Sequence, residues 1–205
     1  MTVGSCILST VSAGPKSLTE SVATPVTPKG RKTRDALVEA GEAVAERDGL
    51  AGLSVAAVAR EAGVAKGTFY IYFEDRDSFI DRLHRRFYAH VTEAVSLAVG
   101  DLAPGRELLL AAIDAYLDVC LAHGAVKALV FETRAQGNLT TTMQEREALF
   151  ARLAQPSMRA MGMRPARVTA RLVVALTSEA ALIEMEAGRR VPGARGGIRK
   201  LLTTI

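Results

Sequence analysis

The chain has 205 residues, of which 49% are hydrophobic and 23% charged, and its net charge is +4. This size predicts one compact domain, or a small domain joined to a larger one, and excludes several independent modules. Alanine, leucine and arginine are plentiful, tryptophan is absent, and no alternating run of Val, Ile and Thr lies between turns. We therefore expect an all-α protein.

The cysteines and the hydropathy pattern predict the compartment. Cys6 and Cys120 fall in a predicted tail and a predicted helix, which does not indicate a disulfide framework. Cys120 could sense the redox state, but a buried apolar cysteine is the simpler interpretation. The first residues lack the basic and apolar segments of a signal peptide, and no stretch approaches the ~20 apolar residues that span a bilayer. We expect a soluble cytoplasmic protein with no membrane partner.

The N-terminal region predicts a mobile leader followed by a basic cluster. Residues 1–30 are rich in Ser, Thr, Gly and Pro, a composition that buries too little apolar surface to pack. A first helix is predicted from Thr33 to Asp48, with Gly49 ending it. The basic cluster just before this helix predicts an arm that reaches DNA phosphates or the minor groove, although a solvated charge run is the alternative. It consists of Lys29, Arg31, Lys32 and Arg34.

Two short helical patterns follow and meet at a glycine. Ser54 is a favourable N-cap for the first, and Leu53 and Val58 occupy the two positions of a hydrophobic staple. Gly63 supplies the backbone freedom that a tight turn requires. The second helix is predicted over residues 66–73. This arrangement predicts a helix-turn-helix, and hence a protein that binds DNA.

The two sides of the second helix predict how it would meet DNA. At about 100° per residue, Phe69 and Phe73 point to the same side and should pack inward. On the opposite side, Ile71 and the methyl group of Thr68 could touch thymine methyls in a major groove. An ordinary helical hairpin with aromatic core residues is the alternative. The outer side and its flanks consist of Lys66, Gly67, Thr68, Tyr70, Ile71 and Tyr72.

This segment resembles a known signature. The run from Gly63 to Phe73, continued to Phe79, is similar to the signature of the tetracycline-repressor (TetR) family, and the resemblance extends over residues 33–83. In that family a third helix reads DNA and ends in an aromatic pair, after which an acidic or serine cap opens a long fourth helix. Ala65 and Tyr72 replace a frequent serine and a frequent histidine, which affects only individual phosphate contacts.

The resemblance implies an N-terminal three-helix DNA-binding head, residues 31–76, and a larger helical body for effector binding and dimerisation, residues 77–205. The partner of the head is double-stranded DNA. The expected DNA contacts are Arg31, Lys32, Arg34, Ser54, Lys66, Gly67, Thr68, Tyr70, Ile71, Tyr72 and Arg76.

Six further helices are predicted after the head. Asp75 should cap the fourth, which runs to about Val99, and Gly124 should end the fifth, whose apolar stripe begins at Leu108. Nine helices in this order fit the TetR architecture. The last four are predicted at Ala125–Ala135, Thr140–Met161 with Pro156 as a kink, Pro165–Ala187 and Gly196–Thr204.

The eighth helix is apolar on more than one side, as a helix between a core and a partner should be. The resemblance implies that helices eight and nine pair with their symmetry mates in a four-helix bundle, so the protein is expected to be a homodimer. A central core helix in a monomer is the alternative. Small residues, among them Val174 and Ala181, are predicted at the seam, and the other side carries Leu172, Val173, Leu176, Ala180 and Ile183.

The body of this family usually senses a ligand, so we expect a pocket for a small apolar or amphipathic effector. Glu179 interrupts an apolar run and could meet a cationic or hydroxylated group, although exposure to solvent is the simpler interpretation. Ordinary core packing is the alternative for every candidate. The candidate lining residues are Phe87, Val91, Tyr116, Cys120, Phe131, Met143, Phe150, Leu176, Glu179 and Ile183.

Catalytic and metal-binding motifs are missing from the sequence. It contains no G-x-S-x-G, Walker A, H-E-x-x-H or C-x-x-C pattern, so we expect no enzyme activity, no cofactor and no metal. The function predicted is a ligand-responsive homodimeric repressor that binds a palindromic operator. The alternative is an architectural or low-specificity DNA-binding protein without an effector.

Overall fold

The computed structural model describes residues 27–135 and 141–204, and the side chains of residues 27–129 and 145–203. All regular structure in these ranges is helical, which confirms the predicted all-α class. The helices are α1 Pro28–Gly52, α2 Val55–Glu61, α3 Lys66–Tyr72, α4 Arg76–Val99, α5 Arg106–Ala122, α6 Gly124–Ala135, α7 Thr141–Ala160, α8 Ala166–Ala187 and α9 Pro192–Thr204.

The described residues form two compact units. The head unit comprises residues 27–87 with residues 125–135 and 141–142, and the body unit comprises residues 88–124 and 143–204. The predicted domain limits at residues 31–76 and 77–205 stay a prediction.

Helix α1 begins earlier than predicted. Thr27 is its N-cap, with a side-chain oxygen that accepts a hydrogen bond from the Gly30 amide at 3.1 Å, and Pro28 follows at a position that proline favours. The basic cluster therefore lies in the first turns of α1 and not in an arm before it. The predicted leader overlaps the N-cap and first helical residues of α1 at residues 27–30, and its remainder, residues 1–26, lies outside the described residues. Gly49, where the helix was predicted to end, leaves helical geometry with a φ of 64°, but α1 continues beyond this kink to Gly52.

Aromatic side chains form the core of the head unit. Phe69 and Phe73 are buried, as predicted, and both meet Phe79 of α4 edge-on, at ring centroid distances of 5.2 and 4.8 Å. Gly41 of α1 packs against the same ring, where a Cβ atom would overlap Phe79. This close approach lets α1 lie directly on α4.

The start of α4 confirms a predicted cap. The Asp75 carboxylate accepts a hydrogen bond from the Ser78 amide at 2.7 Å, and the Ser78 hydroxyl accepts one from the Asp75 amide at 3.2 Å. This reciprocal pair satisfies backbone donors that a helix start leaves without an intrahelical partner. It fixes where the chain turns from the helix-turn-helix into α4.

A buried ion network joins three helices of the body unit. Glu184 of α8 is 1% exposed, and Arg195 of α9 donates to both of its carboxylate oxygens at 2.8 and 2.7 Å. The same guanidinium also donates to Asp118 of α5 at 2.8 Å. These hydrogen bonds hold the pKa of Glu184 below its usual range. The network anchors α9 near its start. This helix begins at Pro192, four residues before the predicted Gly196.

The two faces of α8 differ from the prediction. Ala181, expected at a dimer seam, is 0% exposed and belongs to the core of the body unit. Leu172, Leu176 and Ile183, expected together on one side with Val173, are exposed while Val173 is buried. The sequence left both faces apolar, so periodicity alone could not tell which one packs on the chain's own core.

The ends of α8 also refine the prediction. Pro165 is its N-cap residue and not its first helical residue, and Gly188 ends it in a left-handed conformation with a φ of 61°. Within the described ranges, no helix is both long and apolar enough to cross a bilayer.

Candidate DNA-binding site

Helices α2 and α3 form the helix-turn-helix of the head unit. The Ser54 hydroxyl accepts a hydrogen bond from the Ala57 amide at 3.1 Å and so caps α2. Leu53 and Val58 are both buried, in the positions predicted for the hydrophobic staple. Gly63 occupies the left-handed region with a φ of 67°, which permits the tight turn before α3.

The outer side of α3 exposes apolar and aromatic groups. Ile71 is 65% exposed and Tyr70 is 49% exposed, while Thr68 and Tyr72 are half-buried. Gly67 is open as well, since a Cβ atom there would have no neighbour within 4 Å. Such a surface costs free energy in water and suits a groove lined by bases and thymine methyls.

Arg76, one of the predicted DNA contacts, is engaged inside the head unit. Its guanidinium donates to the Leu53 carbonyl through Nε and to the Leu50 carbonyl through Nη2, both at 2.6 Å. These carbonyls lie where α1 turns into α2, and without Arg76 they would lose charge-assisted hydrogen bonds. This placement favours a structural role for Arg76 over contact with DNA.

The basic residues of α1 are distributed differently. Arg31 and Lys32 are exposed. Arg34 lies with its guanidinium carbon 5.8 Å from the centroid of the Phe73 ring, which is a cation–π contact. Since Phe73 follows α3 directly, Arg34 lies beside the end of α3.

Arg82 of α4 was missed by the sequence analysis. Helical spacing could have found it, because Arg82 lies one turn after Phe79 and one turn before Arg86, and both of these contact α1. Its charge interacts with that of Arg34 across the two helices. The head unit therefore holds a second arginine, whose charge acts on the arginine that contacts Phe73.

The predicted effector residues lie in different environments. Phe87, Val91 and Cys120 are buried in their units. In the body unit, the half-buried rings of Tyr116 and Phe150 lie 6.5 Å apart. Burial raises the pKa of the Tyr116 hydroxyl well above its usual range, and Cys120 and Ser178 are hydrogen-bonded to it.

Three other effector candidates are exposed. Leu176, Glu179 and Ile183 lie on the exposed side of α8, which favours an interface over a pocket. The side chains of Phe131 and Met143 lie outside the described residues. Among the side chains that the structure describes, no three His, Cys, Asp or Glu residues are grouped as a metal site requires.

The head of the chain matches a known family. Residues 37–83 match the model for bacterial regulatory proteins of the tetR family. This range runs from the buried face of α1 through the helix-turn-helix into α4, so the match covers the site described above.

Solved structures share the fold over most of both chains. A transcriptional regulator from Rhodococcus sp. RHA1 has a TM-score of 0.73 at 21% identity, covering 84% of this chain and 95% of that chain. A TetR-like transcriptional regulator from the same organism has a TM-score of 0.69 at 17% identity, covering 83% and 93%. The multidrug-binding protein EbrR, solved with imidazole, has a TM-score of 0.67 at 21% identity, covering 89% and 96%.

At these identities the solved structures establish the fold, and the family match establishes the type of head. The helix-turn-helix head of the chain, residues 37–83, is thus similar to that of bacterial regulatory proteins of the tetR family, and the whole chain shares the fold of solved transcriptional regulators.

Proposed function

We propose that this chain acts as a cytoplasmic homodimeric repressor that binds a palindromic operator and releases it when a small effector binds the body. The observation that carries the proposal is the outward side of α3, where Ile71 is 65% exposed next to the exposed Tyr70 and the open Gly67. A helix with this surface gains by entering a major groove, and it is held by the buried aromatic core behind it.

In this proposal α3 makes two kinds of contact with DNA, to bases and to phosphates. Ile71 and the Thr68 methyl group are placed to touch thymine methyls, which distinguish base pairs in the major groove. Lys66 and Tyr72 flank them and reach phosphates, which fix the register of the protein but carry no sequence information. Gly67 allows the backbone to come close.

The exposed side of α8 supports a dimer. Val168, Leu172, Leu176 and Ile183 are exposed there at spacings of four, four and seven residues, which form one stripe along the helix. Burying an exposed Leu or Ile side chain against a partner stabilises by roughly 1.5–3 kcal/mol. The seam therefore lies on this large-residue stripe, and α9 carries a further exposed leucine, Leu201.

A buried hydroxyl group in the body unit supports the proposal that the body binds an effector. Tyr116 with its hydrogen-bonded partners Cys120 and Ser178 lies among aromatic rings, which suits an apolar or amphipathic molecule with one polar group. EbrR, a multidrug-binding protein of the same fold, was solved with imidazole. Effector binding would favour a body conformation in which the two heads no longer match successive major grooves.

The test is to select fragments of the source genome with the purified protein and then to screen small molecules for release of the bound fragments. A defined palindrome that is released by a small molecule supports the proposal. Weak binding to fragments of all sequences, unaffected by any molecule, supports the architectural alternative.

A further inference from the structure

Two arginines of the head unit lie together where α1 crosses α4. Gly41 contacts Phe79, and Arg86 is ion-paired with Glu42 at 3.3 Å and with Glu39 at 3.8 Å. Arg82 lies on the same side of α4 between these two contacts, and its neighbour on α1 is Arg34. The helix crossing therefore brings two positive charges together.

Within the described part of the chain neither arginine forms a hydrogen bond or an ion pair, although Arg34 contacts the Phe73 ring. The Nε atoms of Arg34 and Arg82 are buried and make no hydrogen bond there. Asp81 pairs with Arg85 at 2.7 Å and the two glutamates of α1 pair with Arg86, whereas the exposed Asp35 attracts Arg82 without forming an ion pair with it. Burial and then the charge of Arg34 lower the pKa of Arg82, and the charge of Asp35 opposes this shift without reversing it.

This arrangement costs free energy in the chain without a ligand. A buried N–H without an acceptor loses its hydrogen bonds to water, and like charges repel in a medium of low dielectric constant. Only the Nε atoms of the two side chains are both buried and unpaired, so the terminal guanidinium nitrogens reach the surface. An anion at that surface would accept from both guanidinium groups and relieve their repulsion.

The position of the pair indicates which anion. Arg34 lies over the ring of Phe73, the residue that follows α3, and the exposed Arg31 and Lys32 lie one turn away on α1. In the proposed complex, a DNA duplex read by α3 would pass this end of the helix. Guanidinium groups match phosphate oxygens with paired N–H donors, which the point charge of a lysine does not.

We propose that Arg34 and Arg82 together bind one backbone phosphate of the DNA that α3 reads. The inference rests on the proposed DNA binding and adds a contact from α4, beyond the helix-turn-helix. Arg82 touches no base, so it contributes affinity and register for every sequence alike.

The test compares Arg82→Gln with Arg85→Gln, which removes one positive charge from the neighbouring turn of the same helix but from an arginine paired with Asp81. Binding of a fluorescent duplex is measured by anisotropy over a range of salt concentrations. Arg82→Gln should weaken binding roughly tenfold and reduce the slope of log affinity against log salt by about one per head. Arg85→Gln should leave that slope unchanged, and Arg82→Lys should restore most of it.

Thermal unfolding separates this role from a structural one. Arg82→Gln removes a repulsion and a buried unpaired donor, so its melting temperature should equal or exceed that of the wild type while its DNA affinity falls. An affinity loss that follows a loss of melting temperature would overturn the proposal. So would equal salt slopes for Arg82→Gln and the wild type, whereas a wild-type protein that binds no duplex would refute the proposed DNA binding itself.

A second experiment tests whether the arginine pair binds free inorganic phosphate and not a phosphate of DNA. Melting temperatures are compared in sodium phosphate and sodium chloride at equal ionic strength, without DNA. If phosphate stabilises the wild type but not Arg82→Gln, and both have the same salt slope with DNA, then the pair binds free phosphate and the assignment to DNA is wrong.

Discussion

At the scale of single residues, His84 is buried in the head unit, and both of its ring nitrogens lack a hydrogen-bond partner there. Its side chain is 0% exposed, and neither ring nitrogen has a hydrogen-bond partner among the described residues. Burial lowers the pKa of His84 to about 4; the charge of Asp81 opposes this shift, and that of the buried Lys127 adds to it. The folded protein therefore keeps this imidazole neutral.

His84 predicts how stability depends on pH. The unfolded chain takes up a proton near a pKa of about 6.5, whereas the folded chain does so near 4. Between these values the unfolded state binds more protons, so the free energy of unfolding falls as the pH drops through this window. At pH 5 the cost relative to pH 7.5 should be about 2 kcal/mol.

His84→Met removes both the titration and the unpaired nitrogens. Urea unfolding of the two proteins at pH 7.5 and pH 5 should show a smaller decline for the variant. Parallel declines would mean that other groups cause the acid sensitivity.

Arg76 and Lys66 are expected to differ in role: Arg76 stabilises the head unit, and Lys66 contacts DNA. Arg76→Met should lower the melting temperature, because the Leu50 and Leu53 carbonyls lose charge-assisted hydrogen bonds worth roughly 1.5–3 kcal/mol each. Lys66→Ala should leave the melting temperature unchanged and reduce the salt dependence of DNA binding by about one phosphate contact per head. A Lys66→Ala protein with a lower melting temperature and an unchanged salt dependence would contradict this assignment.

At the scale of elements, the crossing of α1 and α4 depends on one glycine. Gly41→Ala would place a methyl group into the ring of Phe79, which is itself buried, and should destabilise by about 1–3 kcal/mol. Gly67→Ala is the matched control, since it lies in a helix with no neighbour within 4 Å and should stabilise by up to about 1 kcal/mol. Denaturant unfolding of both variants measures the two effects. Equal stability of the two variants would refute the packing argument.

Elements with local start and stop signals were predicted best. The helix-turn-helix followed from Ser54 and Gly63, and the start of α4 followed from Asp75, because each of these residues acts on its own backbone. The start of α1 was placed too late although Thr27 and Pro28 give such a signal, since the glycine and proline content of the leader suggested no structure. The start of α9 was also placed too late, because three glycines follow Pro192 and the ion network that anchors the helix comes from distant parts of the sequence.

The exposed side of α3 was predicted from the angles between its residues, but the roles of two arginines of α4 were not. Arg76 and Arg82 each lie about a turn from a core residue of α4, and spacing does not reveal whether such a side chain turns inward or meets the surface. Tertiary contacts decide this, and those contacts involve residues far apart in the chain.

For the whole molecule, the assignment of the two faces of α8 decides which substitution breaks a dimer. Leu172 is 64% exposed, so Leu172→Asp should leave the subunit folded and place an unpaired carboxylate in the proposed seam. Ala181 is 0% exposed in the chain's own core, so Ala181→Asp should unfold the body unit. Sedimentation and circular dichroism on the same preparations distinguish the two outcomes.

Operator affinity should fall with Leu172→Asp although no residue near DNA has changed, since two heads one helical turn of DNA apart, about 34–36 Å, read a palindrome together. A folded monomer that binds the full palindrome with wild-type affinity would refute the need for a dimer. A folded dimer would show that the seam lies elsewhere.

The attachment of α9 has a consequence for how the chain responds to different denaturants. Besides its buried Ile198 and Leu202, this helix is held by Arg195, bound to the buried Glu184 and to Asp118, and by the more exposed pairs of Arg190 and Arg199 with Asp118 and Asp114. Guanidinium chloride is a salt whose cation competes for the same carboxylates, whereas urea leaves ion pairs unscreened. The C-terminal helix should therefore detach before the rest of the body in guanidinium chloride but together with it in urea, so the same chain would unfold in two steps in one denaturant and in one step in the other.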